Sequence, residues 1–571
     1  MAVRLRISCN HIAKEASTGG DIMSTGLDAT VPTTRATPVT RLDAVVIGAG
    51  ITGMYQLYKM RELGLNVRAY ETGSGVGGTW YWNRYPGARV DSQAEIYNYW
   101  ISEELYKAWK PSERFPAQPE TEAWLNFVAD KLDLRKDIQL NTRIVSAHYQ
   151  ENTGRWDVLT ADGEHIDTQF LLTCCGPLSA PLINRFPGQE SFRGEIHHTG
   201  LWPKGGVDVK GKRVAVVGTG ATGIQVIQSM APEVASLKVF VRTPQYMVPL
   251  KNPKYSQADW DHWASKFHET KLRVRSTFAG FDFDFANKPW VELTPAERTE
   301  ILEKFWAEGT LSMWLATFPE IFFDETIGEA VSEFIREKMR ERLRHDPDLC
   351  RILIPTRHTF GTHRVPLENG YLEVYLRDNV EAVDCRVSPI ERIVPEGIQT
   401  ADGKIHEVDV IVLAVGYDAG TGGLARIDIR GRDGRALKEL WQQDIRTAMG
   451  FQVHGYPNLF MATAPLAPSA ALCNVPTCAQ QQVDWIVGCV DYARKNGKSV
   501  IEAKQEFEDE WVRHHDEVAG MTLLSKANSW YMGANVEGKP RRLVAYAGGV
   551  STYNSQCDDQ AAKGYPGFAM R

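Results

Sequence analysis

Two stretches of the chain carry the same order of apolar and polar positions. Leu42-Asp-Ala-Val-Val-Ile47 is a short apolar run followed by Gly48, Gly50 and Gly53, then a segment of helical spacing, then a second run, Leu65-Asn-Val-Arg-Ala-Tyr70. Lys212-Arg-Val-Ala-Val-Val217, the glycines Gly218, Gly220 and Gly223, and Leu237-Lys-Val-Phe-Val241 repeat that order. Each set predicts strand, tight turn, helix and strand. Between them, Gln118-Pro-Glu120 opens an amphipathic helix, short strands fall near 142–160, and Gln169 to Gly176 reads as an apolar strand ending in a glycine turn. Residues 250–345 switch to helical spacing rich in Trp, Phe, Glu and Lys. Val408 to Asp418 and Asn458 to Pro465 read as strands, and Thr477 to Arg494 as a helix. Residues 1–40 are rich in Ser, Thr, Gly and Ala, lack such spacing and read as a disordered extension.

A strand, a Gly-x-Gly-x-x-Gly turn and a helix form the unit that binds a dinucleotide, with the pyrophosphate at the helix N-terminus. The bare glycine pattern is a weak signal, so the residues after the second strand carry the distinction. In the first unit that position is Glu71, which can accept hydrogen bonds from a ribose diol and repels a 2′-phosphate. In the second it is Arg242, followed by Thr243, and a guanidinium can grip a 2′-phosphate. The first site therefore suits FAD or NAD and not NADP, and the second suits NADPH, with Thr219 and Thr222 of the second turn among the expected contacts; the swap points to one FAD and one NADPH.

The expected fold class is α/β, with two Rossmann-like dinucleotide-binding domains, one for FAD and one for NADP, and a helical insertion in the NADP domain. The boundaries read as an extension to residue 40, the first FAD segment at 41–190 and the first NADP segment at 191–249. The insertion follows at 250–345, the NADP return at 346–400 and the second FAD segment at 401–571.

Composition narrows the class. At 571 residues the chain is long enough for two or three domains. A net charge of −7 argues against a nucleic-acid partner. No apolar run reaches the length of a spanning helix, so no transmembrane segment is expected. The nine cysteines form no Cys-x-x-Cys pair, which argues against a metal site or dithiol centre and predicts reduced thiols in a cytoplasmic protein.

Two longer strings name a chemistry. Phe192, Gly194, His198, Trp202 and Pro203 spell Phe-x-Gly-x3-His-x3-Trp-Pro. Gly78, Trp80, Tyr85, Pro86, Gly87 and Asp91 spell Gly-x-Trp-x4-Tyr-Pro-Gly-x3-Asp. Together with the glycine turns they resemble the signatures of the Baeyer–Villiger monooxygenases, flavoenzymes that insert one oxygen atom from O2 beside a ketone carbonyl. The resemblance covers about residues 40 to 571. It implies FAD and NADPH as cofactors, a ketone as substrate, an ester or lactone as product and a C4a-peroxyflavin anion as the attacking species. It places Gly78, Thr79, Trp80 and Asp91 beside the flavin, Arg364 at flavin and nicotinamide, and Trp530 against NADP. It assigns Phe192 to Pro203 to linker motion and the loop from Leu466 to Cys473 to the substrate. Arg364 is the candidate for stabilising the anion and the adduct, because arginine keeps its charge where lysine can lose a proton, and Asp91 would orient it. The chain departs from the family pattern at His363, where a lysine is usual, and at Ala464-Pro465, where Gly-Pro is usual.

The competing readings are a flavin monooxygenase acting on amines or sulfides and a non-catalytic dinucleotide sensor. The ketone, the selectivity and the oligomeric state stay open, a monomer being the working expectation.

Overall fold

The computed structural model describes residues 39–571, apart from 184–185 and 286–287. The extension expected at residues 1–40 thus lies, up to residue 38, outside the described residues.

The first glycine unit opens the larger sheet. Strand β1 (Val39–Ile47) leads through the turn into helix α1 (Ile51–Glu62) and parallel strand β2 (Val67–Tyr70). Helix α2 (Thr79–Trp82) follows, and β3 (His165–Thr173) pairs along the other edge of β1. Eight strands complete this sheet, with Leu459–Met461 added beside β3 and Asp428–Arg430 at the far edge. Val45 and Val46 of β1 are fully buried. An apolar run hidden on both faces is what a central parallel strand requires, and each such side chain contributes about 1.5–3 kcal/mol.

The second sheet has five parallel strands. Strand β4 (Glu195–His198) lies at one edge, β5 (Arg213–Val217) leads into helix α3 (Ala221–Met230), and β6 (Ser236–Val241) follows. The run Val410–Leu413, here β7, is inserted between β5 and β4, and Val380–Asp384 closes the opposite edge.

One expected boundary is corrected here. The segment 401–571 was assigned to the first unit, yet β7 pairs with β5 and β4 of the second, so the return follows Leu413. Val-Ile-Val-Leu is buried on both sides and would suit the middle of either sheet, so its pattern cannot name the sheet. The stretch 192–203, expected within the second unit's first segment at 191–249, contains β4 and is hydrogen-bonded into that unit's sheet over Glu195–His198.

Residues 250–345 form helices, among them Gln257–Ser265, Phe267–Ser276, Pro295–Glu308, Ser312–Leu315 and Glu325–Arg342. Ser256 and Thr294 start two of them with reciprocal capping boxes, and Asp324 caps a third. Trp314 and its neighbours join the hydrophobic core shared by both sheets, so this region is packed into the body of the protein.

Candidate active site

The two glycine turns are built alike. A methyl group on Gly53 would stand 1.9 Å from the Gly48 carbonyl oxygen, and one on Gly223 would stand 2.2 Å from that of Gly218. Helix and turn therefore touch backbone to backbone in both. The middle glycines differ. Gly50 lies against Gly78, where an added carbon would come within 3.2 Å of the Gly78 Cα, whereas Gly220 faces no protein atom within 4 Å. No side chain caps α1 or α3. Their first-turn amides are left as donors. Uncapped N-termini behind backbone-only turns fit the pyrophosphates of two dinucleotides.

Glu71 is buried and engaged with the first turn. One carboxylate oxygen accepts from the Ala49 amide at 2.9 Å and the other from the Gly73 amide at 2.7 Å. It thereby clamps the turn to the loop after β2, and each oxygen has further acceptor capacity for a ribose. Arg242 is exposed at the end of β6. Thr219 of the second turn donates to the Thr243 carbonyl at 3.2 Å, which holds that loop against the turn.

The loop from Gly78 to Asp91 joins the two units. The Tyr85 hydroxyl donates to Gln225 Oε1 of α3 at 2.9 Å, and Gln225 Nε2 donates back to the Arg89 carbonyl at 3.2 Å. Burial pushes the Tyr85 phenol up to about 12, so it remains a donor. The loop ends at Asp91, whose carboxylate accepts from Arg364 Nη2. Arg364 Nη1 donates to the Ala470 carbonyl at 3.0 Å, and the guanidinium lies 5.8 Å from the Trp314 ring. Burial works against the charge of Arg364, and Asp91 with its neighbours offsets it, so the proton is held above the ordinary arginine value. Trp80 donates through Nε1 to the Tyr97 hydroxyl at 2.9 Å. Tyr97 is close enough to feel both Asp91 and Arg364.

His363, beside Arg364, stacks on His358 with ring centres 4.1 Å apart. Burial lowers them to about 4 and about 3 respectively, so both are neutral at pH 7.

In the stretch before Pro203, Gly194 leaves no room for a side chain beside the Asp409 carbonyl. Phe192 packs on the second sheet's core. The buried His198 accepts from the Gly200 amide through Nδ1 at 3.0 Å, and its Nε2 has no partner among the described residues. Trp202 is buried against His197, with ring centres 5.6 Å apart, and Pro203 is exposed. Lys204 next to it donates to Ser74 Oγ at 2.6 Å, so this stretch reaches the first unit.

The chain matches the family described as FMO-like, flavin-binding monooxygenase-like, over residues 42–249. It is 58% identical over 531 residues to the acetone monooxygenase (methyl acetate-forming) of Gordonia sp. (strain TY-5), covering 93% of this chain and 99% of that one. The crystal structure of cyclohexanone monooxygenase from Rhodococcus sp. Phi1 bound to NADP+ superposes with a TM-score of 0.91 at 38% identity, covering 94% of this chain and 100% of that one. OTEMO in complex with FAD and NADP superposes at 0.89 and 37%, covering 93% and 99%. The chain belongs to the Baeyer–Villiger monooxygenases.

In this Baeyer–Villiger monooxygenase the structure brings together Asp91, Arg364 and the end of the Gly78 loop. It also adds residues that sequence reasoning missed. Trp314 comes from the helical region, where its spacing marks it only as apolar. Tyr97 carries no motif. Tyr531, adjacent to the expected Trp530, donates its hydroxyl to the Ala471 carbonyl at 2.9 Å and lies within the electrostatic reach of Arg364. Trp530 itself packs edge-on against Tyr531 at 4.5 Å and is partly buried. The Cys473 and Cys478 side chains come together where the loop from Leu466 folds back on the first turn of the helix Val475–Lys495. Among the described residues no group of three or more His, Cys, Asp or Glu is arranged to hold a metal.

Proposed function

We propose that this enzyme uses FAD and NADPH to convert a short-chain ketone, O2 and a proton into an ester, NADP+ and water. The acetone-oxidising relative supports a small ketone, and the aromatic walls around Arg364 from Trp314, Tyr97 and Tyr531 support a confined site. FAD reduced by NADPH supplies the activation of oxygen.

The protein's own residues supply charge and position. Arg364 carries a positive charge that cannot be neutralised at working pH, and its fork is fixed at both ends by Asp91 and the Ala470 carbonyl. A cation held this way stabilises negative charge that develops on oxygen without having to reorganise. Gly48 to Gly53 with Glu71 would hold FAD; Gly218 to Gly223 with Arg242 and Thr243 would hold NADPH. Gly78, Thr79 and Trp80 would line the flavin side. Asp91 orients Arg364, and the surrounding aromatic side chains exclude water. The ion pair of Arg364 and Asp91 at the junction of both units is the observation that carries this reading.

The test is to purify the protein, measure bound flavin by its yellow absorbance, and incubate it with NADPH, O2 and acetone, butanone, cyclohexanone or a methyl aryl sulfide. Ester from the small ketones, identified by mass, is the expected result. Sulfoxide without ester would favour heteroatom oxidation, and no ketone-dependent NADPH consumption would favour a sensor. The working site is expected to need no membrane, and no helix among the described residues is long and apolar enough to cross one.

A further inference from the structure

The chain crosses between the two sheets twice, and the crossings run side by side. The Leu182 amide donates to the Gly416 carbonyl at 3.0 Å and the Asp418 amide to the Ala180 carbonyl at 2.9 Å, with Tyr417 bridged to Pro181 between them. Tyr417 is the centre of a network that reaches three other segments. Its hydroxyl donates to Asn83 Oδ1, and Asn83 Nδ2 donates to the Thr79 carbonyl at 3.0 Å. That fixes the end of α2, whose first residue follows Gly78 at the first glycine turn. The Tyr417 carbonyl accepts from Asn535 Nδ2 at 2.8 Å. The Tyr417 ring meets His198 edge-on at 6.2 Å and lies so close over Gly200 that an added Cβ would stand 2.5 Å from the hydroxyl. The next residue, Asp418, pairs with Lys539, whose side chain is only 6% exposed and also donates to the Ala419 carbonyl at 2.6 Å.

A buried ion pair contributes little net stability, because desolvation offsets attraction, and it is better suited to fixing a register. A lysine is seldom buried without a partner, so seating Lys539 depends on Asp418. The same crossing strand thus sets the position of the first unit's loop, the His198 stretch and the C-terminal segment whose Tyr531 neighbours Arg364.

We propose that Tyr417 and Asp418 are positioning residues for the oxygenation reaction: the Tyr417 hydroxyl holds residues 79–84 through Asn83, and Asp418, through Lys539, keeps the segment 529–539 seated beside Arg364 while the nicotinamide nucleotide stays bound. This rests on the function proposed above. If the segment loosens, NADP+ leaves early, and NADPH, O2 and a proton end as NADP+ and hydrogen peroxide in place of ester and water.

Tyr417→Phe deletes the hydroxyl and keeps the ring against His198. Asp418→Asn keeps the shape and removes the partner of Lys539. Amide hydrogen exchange is read on the FAD-bound, NADP-free protein, and NADP+ binding by titration. Exchange over residues 79–84 should rise in Tyr417→Phe and stay unchanged in Asp418→Asn, and exchange over 533–540 should rise in Asp418→Asn. The NADP+ dissociation constant should rise about threefold to tenfold in Asp418→Asn, the worth of one hydrogen bond. Hydrogen peroxide per NADPH should rise in each, with FAD content and thermal midpoint kept. Unchanged exchange over 79–84 in Tyr417→Phe, or unchanged NADP+ binding in Asp418→Asn, would overturn the proposal. So would parallel losses of FAD, thermal midpoint and turnover, which would leave Tyr417 a packing role alone. Wild-type ester formation is measured alongside. Its failure strikes the proposed function, whereas ester-forming wild type with variants that behave identically strikes only this inference.

Discussion

Arg364 and Asp91 stand 273 positions apart in the chain and meet as one ion pair. The carboxylate comes from the loop that ends the Tyr85-Pro-Gly87 turn, and the guanidinium reaches past it to the Ala470 carbonyl of the loop beginning at Leu466. The planar guanidinium makes the two contacts from separate nitrogens, Nη2 and Nη1, in a fixed geometry. Arg364→Lys keeps a cation and loses one of the two anchors. It should retain FAD and lower ester formation about 100-fold to 1000-fold, the range for removing a preorganised charge stabiliser. Ester measured by mass, beside flavin absorbance, checks this; a variant with wild-type ester yield would remove Arg364 from the chemistry.

Arg242 is exposed at the end of β6, at the position where the first unit carries Glu71. Arg242→Ala should raise the Michaelis constant for NADPH at least about tenfold, in line with the loss of a charge-assisted hydrogen bond, and leave that for NADH nearly unchanged. Equal effects on both nucleotides would show that this arginine does not read the 2′-phosphate.

The glycines of the second turn separate folding from binding. A side chain on Gly223 collides with the Gly218 carbonyl, whereas one on Gly220 meets no protein atom within 4 Å. Gly223→Ala should therefore lower the thermal midpoint. Gly220→Ala should fold with a normal midpoint and full FAD content but bind NADP+ weakly, since its methyl occupies space open to a pyrophosphate. Undiminished NADP+ affinity in the soluble Gly220→Ala protein would move the nucleotide away from this turn.

His358 and His363 give the protein a pH dependence. Burial lowers both far below their ordinary 6.5, to about 3 and about 4. The unfolded chain then takes up protons that the folded one refuses, so their effect is to remove stability as pH falls from about 6.5 towards 4. His358→Gln should reduce the drop in thermal midpoint between pH 7 and pH 5. An identical drop in the variant would mean that other groups set the acid limit. Glu95 acts in the opposite sense. Burial raises its carboxyl to about 7, so stability is lost as pH rises from about 4.5 to 7, and Glu95→Gln should help most at pH 8.

Much of the architecture was legible in the residues because it depends on local rules. A backbone turn that must touch a phosphate needs glycine at fixed spacing, so both nucleotide units could be found from Gly48 to Gly53 and Gly218 to Gly223. The contrast of Glu71 with Arg242 was readable because each directly follows the second strand of its unit. Tyr97, Trp314 and Tyr531 were not readable, because an aromatic residue beside Arg364 has the same local pattern as one in the core. The closeness of Cys473 and Cys478 escaped for a related reason: it depends on a loop lying back along a helix.

The amino-acid order determined the two glycine turns, the polarity of the residue that follows each and the signatures from Gly78 to Asp91 and Phe192 to Pro203, since these act over a few residues of backbone. Tertiary structure alone decided that Val410–Leu413 belongs to the second sheet, that Glu195–His198 is a strand, and that Asp91, Arg364 and Ala470 converge. An apolar strand buried on both faces carries no mark of its neighbours, and a charge carries no mark of its partner, until packing of the whole chain selects them.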